Sequence, residues 1–256
     1  MATKSKINMR KITKTLAVVL SLSMTLTMGT PVFAEGTADS STTVTTVVEA
    51  PVVTPTPAQE NKPSKTGFYK KAGKTYYYKN GKLVKNKYGY KIKNKYYHIN
   101  KKGVVTTAST AEKLAAIRLK KCGGNLKKAF TWSSTKIKYF GGVKKPGKSK
   151  NAVEYYAAYG FKYGKGDCYV MAATFAMMAK VKGLNVKFVM GSVPQRNGKD
   201  GEHAWCEIKS GKTTYVYDPN FAYTYRNNPN VNSGYKFKYG AKGTYKYNEK
   251  RTKISF

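Results

Sequence analysis

The sequence predicts an α+β domain in the C-terminal part of the chain, preceded by a small β-hairpin module, a linker and an export signal. Three observations predict this arrangement. Residues 110–181 contain segments with helical periodicity, residues 186–218 contain alternating strand patterns, and residues 67–107 contain a tyrosine-rich pattern that repeats. Hydrophobic residues make up 41% of the 256-residue chain, which suffices for the core of one ordinary domain and a smaller unit.

Positive charge dominates the composition. Lysine and arginine total 48 against 12 acidic residues, a net charge of +36, and the basic residues are spread along the whole chain. Such a field indicates an anionic setting, which a nucleic acid, a membrane surface or a phosphate-rich cell wall would each provide.

The first 34 residues have the order of an export signal. A positively charged start, which runs from Lys4 to Lys14, precedes an apolar run over 16–28 and the small-residue site Val32-Phe33-Ala34. A buried N-terminal helix is the structural alternative, and the run is too short to span a bilayer comfortably. We therefore expect a secreted, cell-surface or wall-associated protein, with an anionic wall polymer as partner, no nucleic acid and no membrane span.

Residues 35–66 form the predicted linker. They are rich in Thr, Val, Pro, Ser and Ala, with "PVVTPTPAQENKPSK" at the end. The prolines oppose regular helix, and few large apolar groups are available to offset the entropy of ordering, so we expect an extended, disordered segment.

Residues 67–107 contain two related pieces, "AGKTYYYKNGKLVKN" and "IKNKYYHINKKGVVTT". Each has a polar turn, a tyrosine cluster, an Asn/Lys/Gly turn and two aliphatic residues. This pattern predicts β-hairpins whose aromatic side chains need a neighbouring copy to bury one face. His98 belongs to this module, and we interpret it as a surface or packing histidine.

These two copies resemble the aromatic, glycine-turn repeats of choline-binding and glucan-binding modules in Gram-positive surface proteins. Tyr76 and Tyr96 stand where that family often has tryptophan. The resemblance implies a cell-wall-binding repeat that recognises a wall polymer or polysaccharide by aromatic stacking. Packing of one hairpin against the other is the alternative interpretation of the same tyrosines.

The helical part begins at Thr110, which we predict to cap a first helix that ends at a Gly-Gly pair. A second short amphipathic piece follows in "NLKKAFTWSSTKIKYF". The segment "NAVEYYAAYGFKYG" predicts a third helix, ending at Gly160.

Cys168 comes directly before a fourth helix. It follows Gly-Asp and precedes residues 169–181, where Ala, Met and Phe are spaced for a buried helix with Gly183 at its C-terminus. At the first turn, unpaired backbone N–H groups and the positive end of the helix dipole stabilise thiolate over thiol. Cys168 is therefore the predicted nucleophile, and the same N–H groups could hold a developing oxyanion.

His203 is the predicted proton carrier, since it is the only histidine outside the repeat module. In "HAWCEI", strand alternation sends His203, Trp205 and Glu207 to one face. A hairpin through residues 210–212 brings the next strand, "TTYVYD", back alongside, so that Asp218 becomes a neighbour of His203. Asp218 could then accept the imidazole N–H and fix its tautomer.

Four pieces of this region resemble the transglutaminase-like superfamily of papain-type Cys-His-Asp enzymes. They are Gly166-Asp167-Cys168 before a helix, Gly183-Leu184 leading into "VKFVMG", His203-Ala204-Trp205, and Asp218-Pro219. The resemblance covers roughly residues 110–225 and implies a papain-like α+β domain over residues 108–256. It also implies Cys168 as nucleophile, His203 as base and acid, and Asp218 as the orienting residue.

The resemblance also bears on the accessory groups. Family members use an upstream side chain in the oxyanion hole, for which Trp132 is a candidate, although a tryptophan on an amphipathic helix is usually a core residue. The chain lacks the acidic clusters that bind calcium in animal transglutaminases. We therefore expect no metal and no other cofactor.

Other interpretations of the cysteines stay open. Cys122 and Cys206 either form a disulfide, which leaves Cys168 free, or stay unpaired. A zinc site from Cys168, Cys206 and His203 lacks close ligand pairs, and a core cysteine with incidental His and Asp is the structural alternative to a triad.

The sequence thus predicts a secreted cysteine enzyme that hydrolyses or transfers peptide or protein amide bonds, as a protease, an amidase or a cross-linking enzyme. The alternative is a non-catalytic wall-binding or adhesion protein that uses the same fold as a scaffold.

Overall fold

The computed structural model describes residues 63–147, 151–195, 197–248 and 251–256, and the structural statements below concern these residues. The predicted export signal at 1–34 and residues 35–62 of the predicted linker lie outside them. Within the described part of the chain, no helix has the length and apolar character needed to cross a membrane.

The tyrosine-rich region forms two three-stranded antiparallel sheets. The strands of the first sheet are β1 (Gly67–Lys71), β2 (Lys74–Lys79) and β3 (Lys82–Leu83), and those of the second are β4 (Lys87–Ile92), β5 (Lys95–Ile99) and β6 (Val105–Thr107). The prediction of small hairpins in this region is confirmed.

Aromatic rings join the two small sheets. The Phe68 ring lies 5.0 Å from that of Tyr77 in its own sheet and 5.2 Å from that of Tyr97 in the other sheet, measured between centroids. Tyr77, Ile92 and Ile99 form a buried cluster between the copies. Each copy therefore buries its apolar face against the other, because a single hairpin is too small to bury it alone.

The helices of the larger domain are α1 (Thr110–Lys121), α2 (Leu126–Thr135), α3 (Ala152–Tyr163), α4 (Cys168–Val181) and α5 (Pro219–Thr224). Helix α4 is central, since every residue from Val170 to Ala179 is buried. Apolar residues on all sides of α4 explain why it takes the inner position, where each large side chain removed from water contributes about 1.5–3 kcal/mol.

Two predicted helix ends are wrong. Ser109 rather than Thr110 caps α1, because its hydroxyl accepts the backbone N–H of Glu112. Helix α3 continues past Gly160 and ends at Gly164, which has a left-handed φ of 61°. Gly160 is needed for packing instead: a Cβ there would lie 2.6 Å from side-chain atoms of Val170 and Thr174 on α4.

A four-stranded antiparallel sheet completes the domain, with strand order β11-β10-β9-β12. Its strands are β9 (Val186–Pro194), β10 (Asp200–Ser210), β11 (Thr213–Tyr217) and β12 (Thr252–Ile254). One face packs on the helical core through residues such as Phe188 and Cys206. Trp205 and Val216 on the other face are covered by Phe237 and Tyr247 from the C-terminal segment.

A short parallel pair, β7 (Lys138–Tyr139) and β8 (Lys165–Gly166), lies directly before α4. Tyr139 pairs with Gly166 in this ladder, which places it beside the start of α4. The α+β fold class predicted from the sequence is confirmed.

Candidate active site

Cys168 is the first residue of α4, as its position after Gly-Asp predicted. Asp167 caps the helix by accepting the Val170 backbone N–H at 3.2 Å. Gly166 allows the chain to turn tightly into the helix, since a Cβ there would lie 2.4 Å from Cβ of Val170. The Cys168 side chain thus sits at the positive end of a buried helix, an environment that favours a thiolate.

His203 and Asp218 form a buried pair. Nε2 of the imidazole lies 2.7 Å from Oδ2 of the carboxylate, and the side chains are 5% and 0% exposed. The β10–β11 hairpin turns at Gly211, as predicted, and its register pairs Cys206 with Tyr217. Asp218 follows β11 directly and is therefore near His203 without facing it across the ladder.

The Asp218 carboxylate accepts three hydrogen bonds. Oδ1 accepts the backbone N–H of Phe221 at 2.9 Å, which makes Asp218 the N-terminal cap of α5. Oδ2 accepts His203 Nε2 and also the hydroxyl of Tyr247, at 2.8 Å. A buried carboxylate needs such donors in place of water to stay ionised.

The surroundings of His203 favour its charged form. Burial opposes a charge on the imidazole, but the Asp218 carboxylate, and after it the Cys168 side chain, outweigh burial and raise the pKa of His203 from 6.5 to about 10. Asp218 occupies Nε2, so Nδ1 is the ring nitrogen left for Cys168. An imidazolium next to the sulfur is the arrangement that stabilises a thiolate in cysteine enzymes.

Cys168 and His203 open onto one cavity of about 450 Å³. Its wall also contains Tyr139, Glu202 and Tyr245. Burial, together with the nearby Cys168 and Asp167, raises the pKa of Tyr139, so its phenol stays a hydrogen-bond donor beside the sulfur. The cavity gives a substrate access to the nucleophile and to the imidazole, while the Asp218 carboxylate is fully buried.

Trp132 is not among the residues that line this cavity. Its ring stacks on Phe161 at 5.6 Å, and the guanidinium of Arg118 lies 4.3 Å from its centroid. Trp132 is therefore a packing residue, and the structure does not place it where it could assist an oxyanion hole in this cavity.

All three cysteines are free thiols in the structure. Cys206 donates to the Ala172 carbonyl at 3.2 Å, and burial raises the pKa of its thiol well above the ordinary value. Burial also raises the pKa of Cys122, against the opposing effect of nearby basic residues. Of the three, Cys168 is the cysteine that lines the cavity.

Sequence reasoning missed Tyr139, Glu202 and Tyr247. The chain has 22 tyrosines, and no local pattern around Tyr139 or Tyr247 separates them from the others. Glu202 directly precedes His203, and this adjacency is the sequence signal that could have identified it. In the structure its carboxylate accepts Lys145 Nζ at 3.1 Å and the Tyr169 hydroxyl at 3.2 Å at the cavity edge.

Comparison with known proteins agrees with this geometry. Residues 109–219, which include Cys168, His203 and Asp218, match the family model of the Transglutaminase-like superfamily. This part of the chain is therefore similar to the Transglutaminase-like superfamily.

Among solved structures, one described as "a Putative Cysteine Protease from Cytophaga hutchinsonii" is similar, with 14% identity and a TM-score of 0.35. The similar part covers 43% of this chain and 37% of that one, well under two thirds of its length. No curated protein matches the chain.

Proposed function

We propose that this protein is a secreted, cell-surface cysteine enzyme that cleaves or transfers peptide or protein amide bonds through a thioester on Cys168. One observation supports this most strongly. A cysteine at the start of a buried helix shares a cavity with an imidazole whose other nitrogen lies 2.7 Å from a buried carboxylate. These are a nucleophile, a proton carrier and an orienting group.

In this reaction the Cys168 thiolate attacks the amide carbonyl carbon and forms a C–S bond. The oxygen takes the negative charge, which backbone N–H groups at the start of α4 are placed to stabilise. As the C–N bond breaks, His203 gives its proton to the leaving amine. Water or a second amine then attacks the thioester and gives a proton to His203, and the thiolate leaves. Asp218 holds the imidazole in one tautomer throughout.

The test is an intact-mass search for the thioester. The protein is incubated with glutamine-containing peptides or with cell-wall peptides, in the presence and absence of a primary amine. We expect a covalent adduct on the native chain and none on Cys168→Ala. A final product with the mass of the acid identifies hydrolysis, and one that contains the amine identifies transfer.

Iodoacetamide labelling at neutral pH supplies a second readout. We expect Cys168 to react faster than Cys122, because the His203 imidazolium stabilises its thiolate. Equal labelling of the two thiols, together with no adduct from any peptide, would favour the non-catalytic scaffold instead.

We further propose that residues 67–107 hold the enzyme on an anionic wall polymer. Phe68 is 45% exposed although it is a large apolar residue, and with Tyr97 and Thr75 it lines an open groove of about 350 Å³. Aromatic rings beside a groove suit stacking on a sugar or a quaternary amine, and the charge of +36 suits a polyanion.

Retention of the full chain on purified cell wall tests this second proposal. We expect Phe68→Ala to weaken retention at a salt concentration that screens the general charge attraction. Tyr163→Ala is the matched control, since Tyr163 is 57% exposed and lies outside the module. Equal loss in both variants, or no loss in either, would contradict a specific role for the groove.

A further inference from the structure

Tyr247 contacts the proposed catalytic group from outside the matched family region. Its hydroxyl donates to Asp218 Oδ2 at 2.8 Å, and the residue is 8% exposed. The family match ends at residue 219, so Tyr247 lies beyond the matched residues.

The position of the Tyr247 ring is set by its neighbours. The ring packs 4.8 Å from Trp205 and 5.7 Å from Tyr239, between centroids. Trp205 Nε1 donates to the Tyr239 hydroxyl, which in turn donates to Glu207 Oε1, both at 2.6 Å. Trp205 and Tyr239, which are themselves fixed by hydrogen bonds, therefore hold the Tyr247 ring in the position from which its hydroxyl reaches Asp218.

That hydroxyl and the imidazole share a single oxygen. Oδ2 of Asp218 accepts both His203 Nε2 and Tyr247, while Oδ1 accepts the Phe221 backbone N–H. Asp218 is 0% exposed, so these protein donors take the place of bulk water around the carboxylate. Each of the three donors therefore contributes to fixing its plane.

We propose that Tyr247 is a positioning residue for the triad, whose hydroxyl holds the Asp218 carboxylate in place and oriented toward His203. This inference rests on the proposed function, because it concerns how the same site holds its charges. Tyr247 contacts no reacting atom and acts through Asp218.

Several titratable groups besides Tyr247 face Asp218 within the described part of the chain. They are His203, the Cys206 thiol and the Tyr245 phenol, and the last two are neutral at ordinary pH because burial raises the pKa of each. Burial and Asp218 raise the pKa of Tyr247 far above its ordinary value, so the phenol remains a donor over the whole working range. Removal of this donor leaves His203 and one backbone N–H to stabilise the charge.

The consequence is a shift in the pH dependence of Cys168 reactivity. Without the Tyr247 hydroxyl, the Asp218 carboxylate is held less firmly against His203, and it stabilises the imidazolium beside the thiolate less well. We expect Tyr247→Phe to move the acidic limb of the Cys168 alkylation profile upward by about one pH unit, which is about a tenfold lower rate on that limb.

Tyr217→Phe is the matched control. Tyr217 is a buried tyrosine next to Asp218 in the chain, but its ring packs against Phe175 and Tyr235 on the other side of the sheet. We expect its alkylation profile to match that of the native chain. A shift of equal size in both variants would overturn the proposal, since it would indicate a general effect of losing a buried hydroxyl.

A second variant guards against a folding defect in Tyr247→Phe. Site-specific 3,5-difluorotyrosine at position 247 keeps the ring and the hydroxyl but makes the hydroxyl a stronger donor. We expect the acidic limb to move in the opposite direction, to lower pH. An unchanged or upward-shifted limb would contradict the proposed role.

NMR signals of the two histidines test the role of Tyr247 independently of the proposed enzymatic function. With ¹⁵N-labelled histidine in the full chain, we expect the inflection of the His203 signals to move to lower pH in Tyr247→Phe, because Asp218 is what raises the pKa of His203, while the His98 signals stay unchanged. This readout needs no enzymatic turnover. If the His203 inflection stays in place while the native Cys168 still forms its adduct, the role of Tyr247 is wrong and the enzyme proposal stands. If the inflection moves but no adduct ever forms, the role of Tyr247 stands and the enzyme proposal is wrong.

Discussion

The two histidines of this chain have nearly the same local geometry. His98 Nδ1 lies 2.7 Å from Glu112 Oε1, and His203 Nε2 lies 2.7 Å from Asp218 Oδ2. Both carboxylates are buried. Both imidazoles also have a raised pKa, mainly through the hydrogen bond to Glu112 for His98 and through the charge of Asp218, against burial, for His203.

Their surroundings differ. His98 belongs to β5 and its partner to α1, so the pair joins the tyrosine-rich sheets to the helical domain. The Tyr88 ring packs on the imidazole at 4.6 Å, and Glu112 also accepts the Gly89 backbone N–H at 3.4 Å. The nearby cavity of about 340 Å³ has no cysteine in its described wall. The sequence analysis interpreted His98 as a surface or packing histidine. The structure shows instead that it forms an ion pair with Glu112.

The comparison teaches that an imidazole–carboxylate pair does not by itself define a catalytic site. What distinguishes His203 is the sulfur at its second nitrogen and the cavity that both share.

The largest effect is expected from the sulfur itself. Cys168→Ala removes the nucleophile and should lower amide cleavage or transfer by about 10³-fold or more, to the level that binding alone supports. Cys122→Ala, which changes a buried thiol outside the cavity, should leave the rate unchanged. Rates of product formation with the peptide that forms the adduct measure both, and comparable losses would contradict the assignment.

Replacing each histidine by glutamine should show which imidazole–carboxylate pair is catalytic. We expect His203→Gln to reduce turnover by about 10²–10⁴-fold, because the thiolate loses its cation and the leaving amine loses its proton donor. His98→Gln should leave turnover unchanged. Steady-state rates with one peptide measure both, and a similar loss in the two variants would indicate that both pairs support the structure alone.

Glu112→Gln should affect stability rather than reactivity. The change leaves His98 without its anionic partner in a half-buried position, and we expect the free energy of unfolding to fall by about 1–3 kcal/mol, discounted for the 26% exposure of the imidazole. Urea unfolding followed by aromatic fluorescence measures this. Cys168 alkylation at neutral pH should stay at the native rate, and a parallel loss of alkylation would mean that the link also shapes the active site.

The smallest effect concerns pH. Both histidines bind a proton more tightly when folded than when unfolded, so their contribution to stability is complete below about 6.5 and is lost as pH rises, up to about 10 for His203. We expect the melting temperature of the native chain to fall between pH 7 and pH 9, below the ordinary tyrosine pKa of about 10. The slope should be smaller in His203→Gln, and an equal slope would contradict the raised pKa.

The start of the Cys168 helix and the turn of the His203 hairpin, both read from short stretches of sequence, agree with the folded structure. The Cys168 helix and the hairpin that carries His203 depend on residues close together in the chain, such as the Asp167 cap and the turn at Gly211. Local patterns of this kind reflect backbone hydrogen bonding and side-chain periodicity, which neighbouring residues largely control.

Features that depend on distant contacts were missed or misplaced. Gly160 resembles a helix stop in sequence, yet it lies within α3. A glycine is needed there because α4 passes too close for any side chain. The Glu112 partner of His98 carries no local signal either. In both cases the deciding contact comes from another element of the fold.

The sequence by itself determined the α+β class, the hairpin sheets, and the positions of Cys168, His203 and Asp218 on their elements. Only the tertiary structure decided that Glu112 holds His98, that Trp132 packs away from the cavity, and that Tyr247 reaches Asp218. The physical reason is range. Caps, turns and alternation act over a few residues, whereas a donor 29 positions beyond Asp218 is brought into place by the packing of the C-terminal segment against the sheet.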